Sequence, residues 1–168
     1  MKIGIAILCV MAAVWAEWSL YADHVAQWTY IAAVAVALAP LALMSGRQFP
    51  PRTASDGRRI GRLVGLATFA EVVAIVGGVQ IAVRIGRPDL IVCLIAAVVG
   101  LHFLPLAWWI PMPRYYVSAL ALIAAACAGL FAPADYRIPF VAGAAAAVLW
   151  LTALSIILAL PRLKSQAE

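Results

Sequence analysis

Two ionisable side chains stand in the middle of apolar sequence, Glu71 in Leu66-Ala67-Thr68-Phe69-Ala70-Glu71-Val72-Val73 and His102 in Val99-Gly100-Leu101-His102-Phe103-Leu104. A charge at mid-bilayer costs about 3 kcal/mol or more, so such a group turns toward protein or water, and it commonly marks a proton or ion path. A carboxyl and an imidazole that meet in a medium of low dielectric satisfy each other's polar demand and can share one proton. Thr68 precedes Glu71 by three residues and falls on the same side of a helix. The chemistry these types support is proton or small-cation binding at Glu71, with His102 tuning or relaying the proton and Thr68 lining the path.

A second polar group is spaced for one helix face. Glu17, Tyr21 and His24 stand at i, i+4 and i+7, with Asp23 beside them. Two readings are open. The face is either an outward polar vestibule that takes up protons, or part of an interfacial belt. In the belt, Trp15, Trp18, Tyr21 and Trp28 anchor the chain at headgroup level and Glu17 reaches water.

The elements that must position these residues follow from composition. The 168 residues are 67% hydrophobic and 11% charged, too apolar to close a water-soluble core without large exposed apolar surface. Six apolar runs, at about 3–22, 28–45, 62–83, 90–110, 115–132 and 138–160, are each read as long enough to cross a hydrocarbon core, which takes roughly 20 residues. Backbone polar groups in lipid must bond internally, so each run is expected to be a helix. The expectation is an all-α polytopic membrane protein of six transmembrane helices, one domain over residues 1–168. Lys2 before an apolar run resembles a signal peptide, but Trp15 and Glu17 crowd the cleavage region, and the run is read as retained.

Charge sets the orientation. Lys2, Arg47, Arg52, Arg58, Arg59, Arg62, Arg114, Arg162 and Lys164 fall on one side of a six-helix threading, and Arg84, Arg87 and Arg137 on the other. By the positive-inside rule both termini are expected in the cytoplasm. The basic stretch Ser45–Arg59 reads as a cytoplasmic loop from its Pro, Gly and Arg content, and Arg84 and Arg87 are expected to snorkel to the opposite surface. The net charge of +5 is thus an orientation signal and no sign of nucleic-acid binding.

Other chemistries find little support. Cys9, Cys93 and Cys127 lie singly within apolar runs and read as buried, inert thiols. Zinc chemistry needs about three protein ligands, whereas the two histidines, His24 and His102, belong near opposite surfaces. Ser118, Thr152 and Ser155 show no neighbouring base that would make one a nucleophile. No metal, no cofactor and no catalytic residue is expected, and the reading leans away from an enzyme. The expected partners are the bilayer and either a second copy or another membrane protein.

Helical periodicity gives the third run a polarity of size. Ala67, Thr68, Ala74, Ile75, Gly78 and Ala82 share the Glu71 face, while Leu66, Phe69, Val73, Val76 and Val83 lie away from it. Small residues mark helix contacts in membranes, so Glu71 is expected to point into the protein, and Gly61-x-x-x-Gly65 is a further contact pattern. At 1.5 Å per residue Glu71 lies about 13 Å and His102 about 12 Å from the cytoplasmic surface, one level on adjacent antiparallel helices. Against their meeting, Cys93, Ala96, Ala97, Gly100 and Ala107 lie largely opposite His102. If the third helix packs on that small face, His102 looks elsewhere. The pairs Ala16-Glu17 and Ala70-Glu71, and Pro40-Leu41-Ala42 and Pro105-Leu106-Ala107, recur at unequal spacing and read as chance.

The segment Gly100-Leu101-His102-Phe103-Leu104-Pro105-Leu106-Ala107, followed by Pro113-Arg114-Tyr115-Tyr116-Val117, resembles a family of uncharacterised bacterial membrane proteins with a G-x-H-F-x-P-L-A signature. That resemblance implies six helices and a multi-pass place in the inner membrane of a bacterial cell. The Ala-Glu contexts of Glu17 and Glu71 are similar to the membrane Glu of small multidrug resistance transporters, a shared proton and cation site; those proteins have four helices where six are expected here. The functional expectation is a small-solute or proton/cation-linked transporter with a substrate- or proton-binding group of Glu71, His102, Thr68, Glu17 and Tyr21. The alternative is a non-catalytic membrane scaffold in which Glu71 and His102 are polar glue between helices.

Overall fold

The computed structural model describes residues 2–22, 27–49, 54–110 and 112–162. They form six α-helices, α1 (Lys2–Ala22), α2 (Gln27–Ala42), α3 (Ala54–Arg84), α4 (Ile91–Trp109), α5 (Pro113–Phe131) and α6 (Ala134–Ala159), with a single 3₁₀ turn, Pro88–Leu90, leading into α4. Five are long and apolar enough to cross a membrane; α2, apolar only over Trp28–Ala42, is shorter. The second expected span, 28–45, is thus a shorter apolar helix.

Proline explains where α2 stops. Pro40 sits inside the helix and cannot donate to the Val36 carbonyl four residues back. That carbonyl accepts the Trp150 indole N–H of α6 at 2.9 Å instead. Beyond Ala42 the chain turns, and Arg47 donates to the Leu160 carbonyl at 2.8 Å while the Gln48 amide donates to Pro161 at 2.9 Å. The Lys2 ammonium lies 5.1 Å from the centre of the Phe49 ring. The start of α1, the segment after α2 and the end of α6 thus gather at one end of the bundle.

α3 departs from expectation in length. It begins at Ala54 and runs 31 residues, so the part of the basic loop from Ala54 to Arg59 is helix. Its other end is a glycine-terminated cap. Gly86 adopts φ +69 and lets the Arg87 amide reach the Ala82 carbonyl and the Gly86 amide reach Val83. This pattern satisfies the last carbonyls of a helix, and it needs a residue without a Cβ at the left-handed position.

The core lies among α1, α4, α5 and α6, around Ile5, Cys9, Val92, Leu122, Leu149 and Ile157. Alanine and glycine on facing helices permit the close approach that membrane helices require. A Cβ at Gly100 would overlap Ile123 and the Ala119 carbonyl, and one at Gly129 would overlap Cys93 and Val141. α3 stands outside this group, packed on α4 and the turn before it. Trp15, expected in an interfacial belt, is in the core and stacks on Trp18 at 5.5 Å. Cys127 is exposed on α5, whereas Cys9 and Cys93 are buried as expected.

Candidate functional site

α4 uses its two faces differently, and this brings the central pair together. Its small face, with Cys93, Ala96, Gly100 and Ala107, is buried in the core, with Gly100 against α5. The bulkier face is left for α3. There Leu94 fits against Gly78 so closely that a Cβ at Gly78 would overlap it. Ala67 and Ala82, above and below, are likewise buried on this contact. Glu71 shares their side of α3 and meets His102.

The Glu71 Oε2 and His102 Nδ1 atoms lie 3.4 Å apart, with the two side chains 17% and 11% exposed. The separation exceeds the 2.7–3.2 Å of a normal N–H···O bond. His102 Nδ1 is accordingly buried without a hydrogen bond among the described residues. The imidazole is positioned by its neighbours, edge-on to Phe103 at 6.2 Å, and Phe103 in turn contacts Tyr115 at 5.6 Å. A buried nitrogen left without a partner is costly, and closing the gap by a few tenths of an ångström would give it one. The pair can hold one proton, as carboxylate with imidazolium or as carboxylic acid with imidazole, or release it and leave a carboxylate beside a neutral imidazole. Its occupancy would be read out in how closely α3 docks on α4.

The remaining expected residues do not join it. Thr68 is exposed on α3. Glu17 and Tyr21 are exposed on α1, which packs against α6 and α2 and makes no extended contact with α3. Asp23 and His24 lie outside the described residues. Gly61 and Gly65, expected at a helix contact, face open space. No group of three His, Cys, Asp or Glu side chains among the described residues converges as a metal site.

Two polar clusters were not evident in the sequence. The first is at the end where α3 meets α4. Arg137, assigned to that end by charge alone, is buried at 7% exposure. Its guanidinium pairs with Asp89 and donates to the Gly129 carbonyl at 2.8 Å and the Ala132 carbonyl at 3.0 Å. These carbonyls lie at the C-terminus of α5, where a cation is favoured, and Gly129 also accepts the Ala132 amide at 3.2 Å. Asp89 also receives a two-pronged bond from Arg87, at 3.0 and 3.1 Å, and this exposed pairing raises the pKa of the Arg87 guanidinium. The second cluster joins α5 and α6. Ser118 and Thr152 are buried with oxygens 2.6 Å apart, and Ser155 donates to the Thr152 carbonyl at 2.9 Å. Asp89 and Arg137 stand 48 residues apart in the chain, so no local spacing announced the first, and none between Ser118 and Thr152 announced the second.

Residues 1–159 match the model of a family of unknown function, DUF7010. No curated protein and no solved structure matches the chain.

Proposed function

The chain belongs to this family of unknown function, and on that premise we propose that it is a proton- or cation-linked small-solute transporter of a bacterial inner membrane. In this reading the chain acts as one unit, threads the bilayer with both termini in the cytoplasm, and seats α2 as a sixth, thinner crossing. Glu71 binds the proton or cation, His102 accepts or tunes it, and α3 moves against α4 as the site fills and empties. The observation that carries the reading is the 3.4 Å approach of Glu71 to His102 with the imidazole nitrogen left without a hydrogen bond. A purely structural pair would be expected to close fully, because an unpaired buried nitrogen gives up stability for nothing. The basic end, with Arg58, Arg59, Arg62 and Arg114, supports the orientation.

The test is infrared difference spectroscopy of lipid-reconstituted protein, paired with flux driven by a pH gradient. A carboxyl band that titrates, vanishes in Glu71→Gln and is displaced in His102→Ala, together with flux lost in Glu71→Gln, is the expected result. A band indifferent to His102→Ala, with no flux in the wild type, would sink it.

A second reading has its own observation. Neither the groove among α1, α2 and α6 nor the one between α5 and α6 is lined by Glu71 or His102. A scaffold held by polar glue, alone or as a homodimer, needs no path to the pair. It predicts that Glu71→Gln leaves function intact.

A further inference from the structure

We propose that the groove between α5 and α6 binds an anionic glycerophospholipid from the leaflet at the basic end of the bundle. This is independent of Glu71 and needs only that the helices sit in a bilayer. The groove has a volume of about 340 Å³ and opens to the surface, with Val117, Ala121, Val148 and Leu151 on its walls and Arg114 at its mouth.

Its polar floor asks nothing of an occupant. Ser118 is placed to donate to the Arg114 carbonyl or to Thr152, and Thr152 to donate to the Val148 carbonyl or to Ser118. Each hydroxyl has one proton, and either arrangement uses both internally. What faces the groove is therefore hydrocarbon over satisfied hydroxyls, a surface suited to an acyl chain. The mouth differs. The Arg114 guanidinium is exposed and has no ion pair or hydrogen bond among the described residues. It stands in the first turn of α5, at the membrane-surface end of the groove, where a planar fork of donors matches a phosphodiester. Apolar chain below and anionic phosphate above, one molecule meeting both demands, is the chemistry of a phospholipid.

The experiment is native mass spectrometry of the full chain released from nanodiscs of equal phosphatidylglycerol and phosphatidylcholine. Wild type is expected to retain phosphatidylglycerol over phosphatidylcholine by about fivefold, the factor expected from one surface cation. Arg114→Gln should bring the ratio near parity, Arg58→Gln should leave it unchanged, and Ala121→Phe should remove both adducts by filling the groove. Equal loss in Arg58→Gln would mean general basic charge and would overturn the proposal. So would an unchanged ratio in Arg114→Gln, or displacement of lipid by excess inorganic phosphate, which would mark a simple anion site. A dimer mass that disappears in Ala121→Phe would assign the groove to a second copy and equally overturn it. If Ala121→Phe fails to fold, the comparison of Arg114→Gln with Arg58→Gln still decides.

Discussion

α6 and α3 are the two longest helices, and each carries one ionisable side chain turned inward. They use it in opposite ways. In α6, 44% of the most apolar stretch is buried, against 11% in α3. Arg137 of α6 has a carboxylate and two helix-end carbonyls as partners, and so joins α4, α5 and α6 in one cluster. Glu71 of α3 has one partner, at 3.4 Å, on the one long helix that α3 packs against. A fully bonded buried charge fixes a geometry, whereas a partly bonded one at a thin interface leaves two geometries close in free energy. The first suits architecture and the second suits a switch.

The largest expected effect tests the architectural half. Arg137→Met keeps the bulk but strands the Asp89 carboxylate with Arg87 alone and takes a donor from the Gly129 and Ala132 carbonyls. It should lower stability by about 3 kcal/mol, read as a fall in the thermal midpoint in detergent. Asp89→Asn should lower it by less, because Arg137 keeps both carbonyls and the Arg87 pair is exposed. Equal losses would mean that Asp89, and not the α5 helix end, is what Arg137 is there for.

Glycine sharpens the same contrast. Gly129→Ala forces a methyl into Cys93 and Val141 and is expected to cost about 2 kcal/mol. Gly65→Ala on α3 meets open space and should stay within about 0.5 kcal/mol of wild type. A marked loss in Gly65→Ala would show that something covers that face of α3 in solution. Smaller than the Gly129→Ala loss is that of Trp150→Phe, which removes the donor serving the Val36 carbonyl that Pro40 leaves unpaired; about 1 kcal/mol is expected.

Much of the helical layout was legible in the sequence because lipid leaves the backbone so few choices. Matched depth put Glu71 and His102 at one level by simple counting. Which face of α4 would receive α3 was not legible. Both faces were plausible partners, and the small one went to the core, where Gly100 permits the closest approach. The burial of Arg137 was not legible for a related reason. An arginine in the first turns of a membrane helix normally reaches for water, and only the end of α5 lying beside it, with Asp89 across from it, makes burial affordable. The shortness of α2 was written in Pro40, but its acceptance depends on Trp150, 110 residues further on, which no local pattern reveals.

A small expected coupling belongs to the pair on which function is proposed to rest. A double-mutant cycle of Glu71→Gln and His102→Gln, read by thermal unfolding in detergent, should give a coupling of about 0.6 kcal/mol, the usual size for a polar contact between membrane helices. An interaction that weak cannot be what keeps α3 in place; Gly78 against Leu94 and the buried alanines do that. Flux driven by a pH gradient should nevertheless be lost in Glu71→Gln, since an amide holds its contacts but carries no exchangeable charge. A coupling above about 2 kcal/mol with function intact would make Glu71 a second Arg137, and the difference between the two helices would then be one of degree.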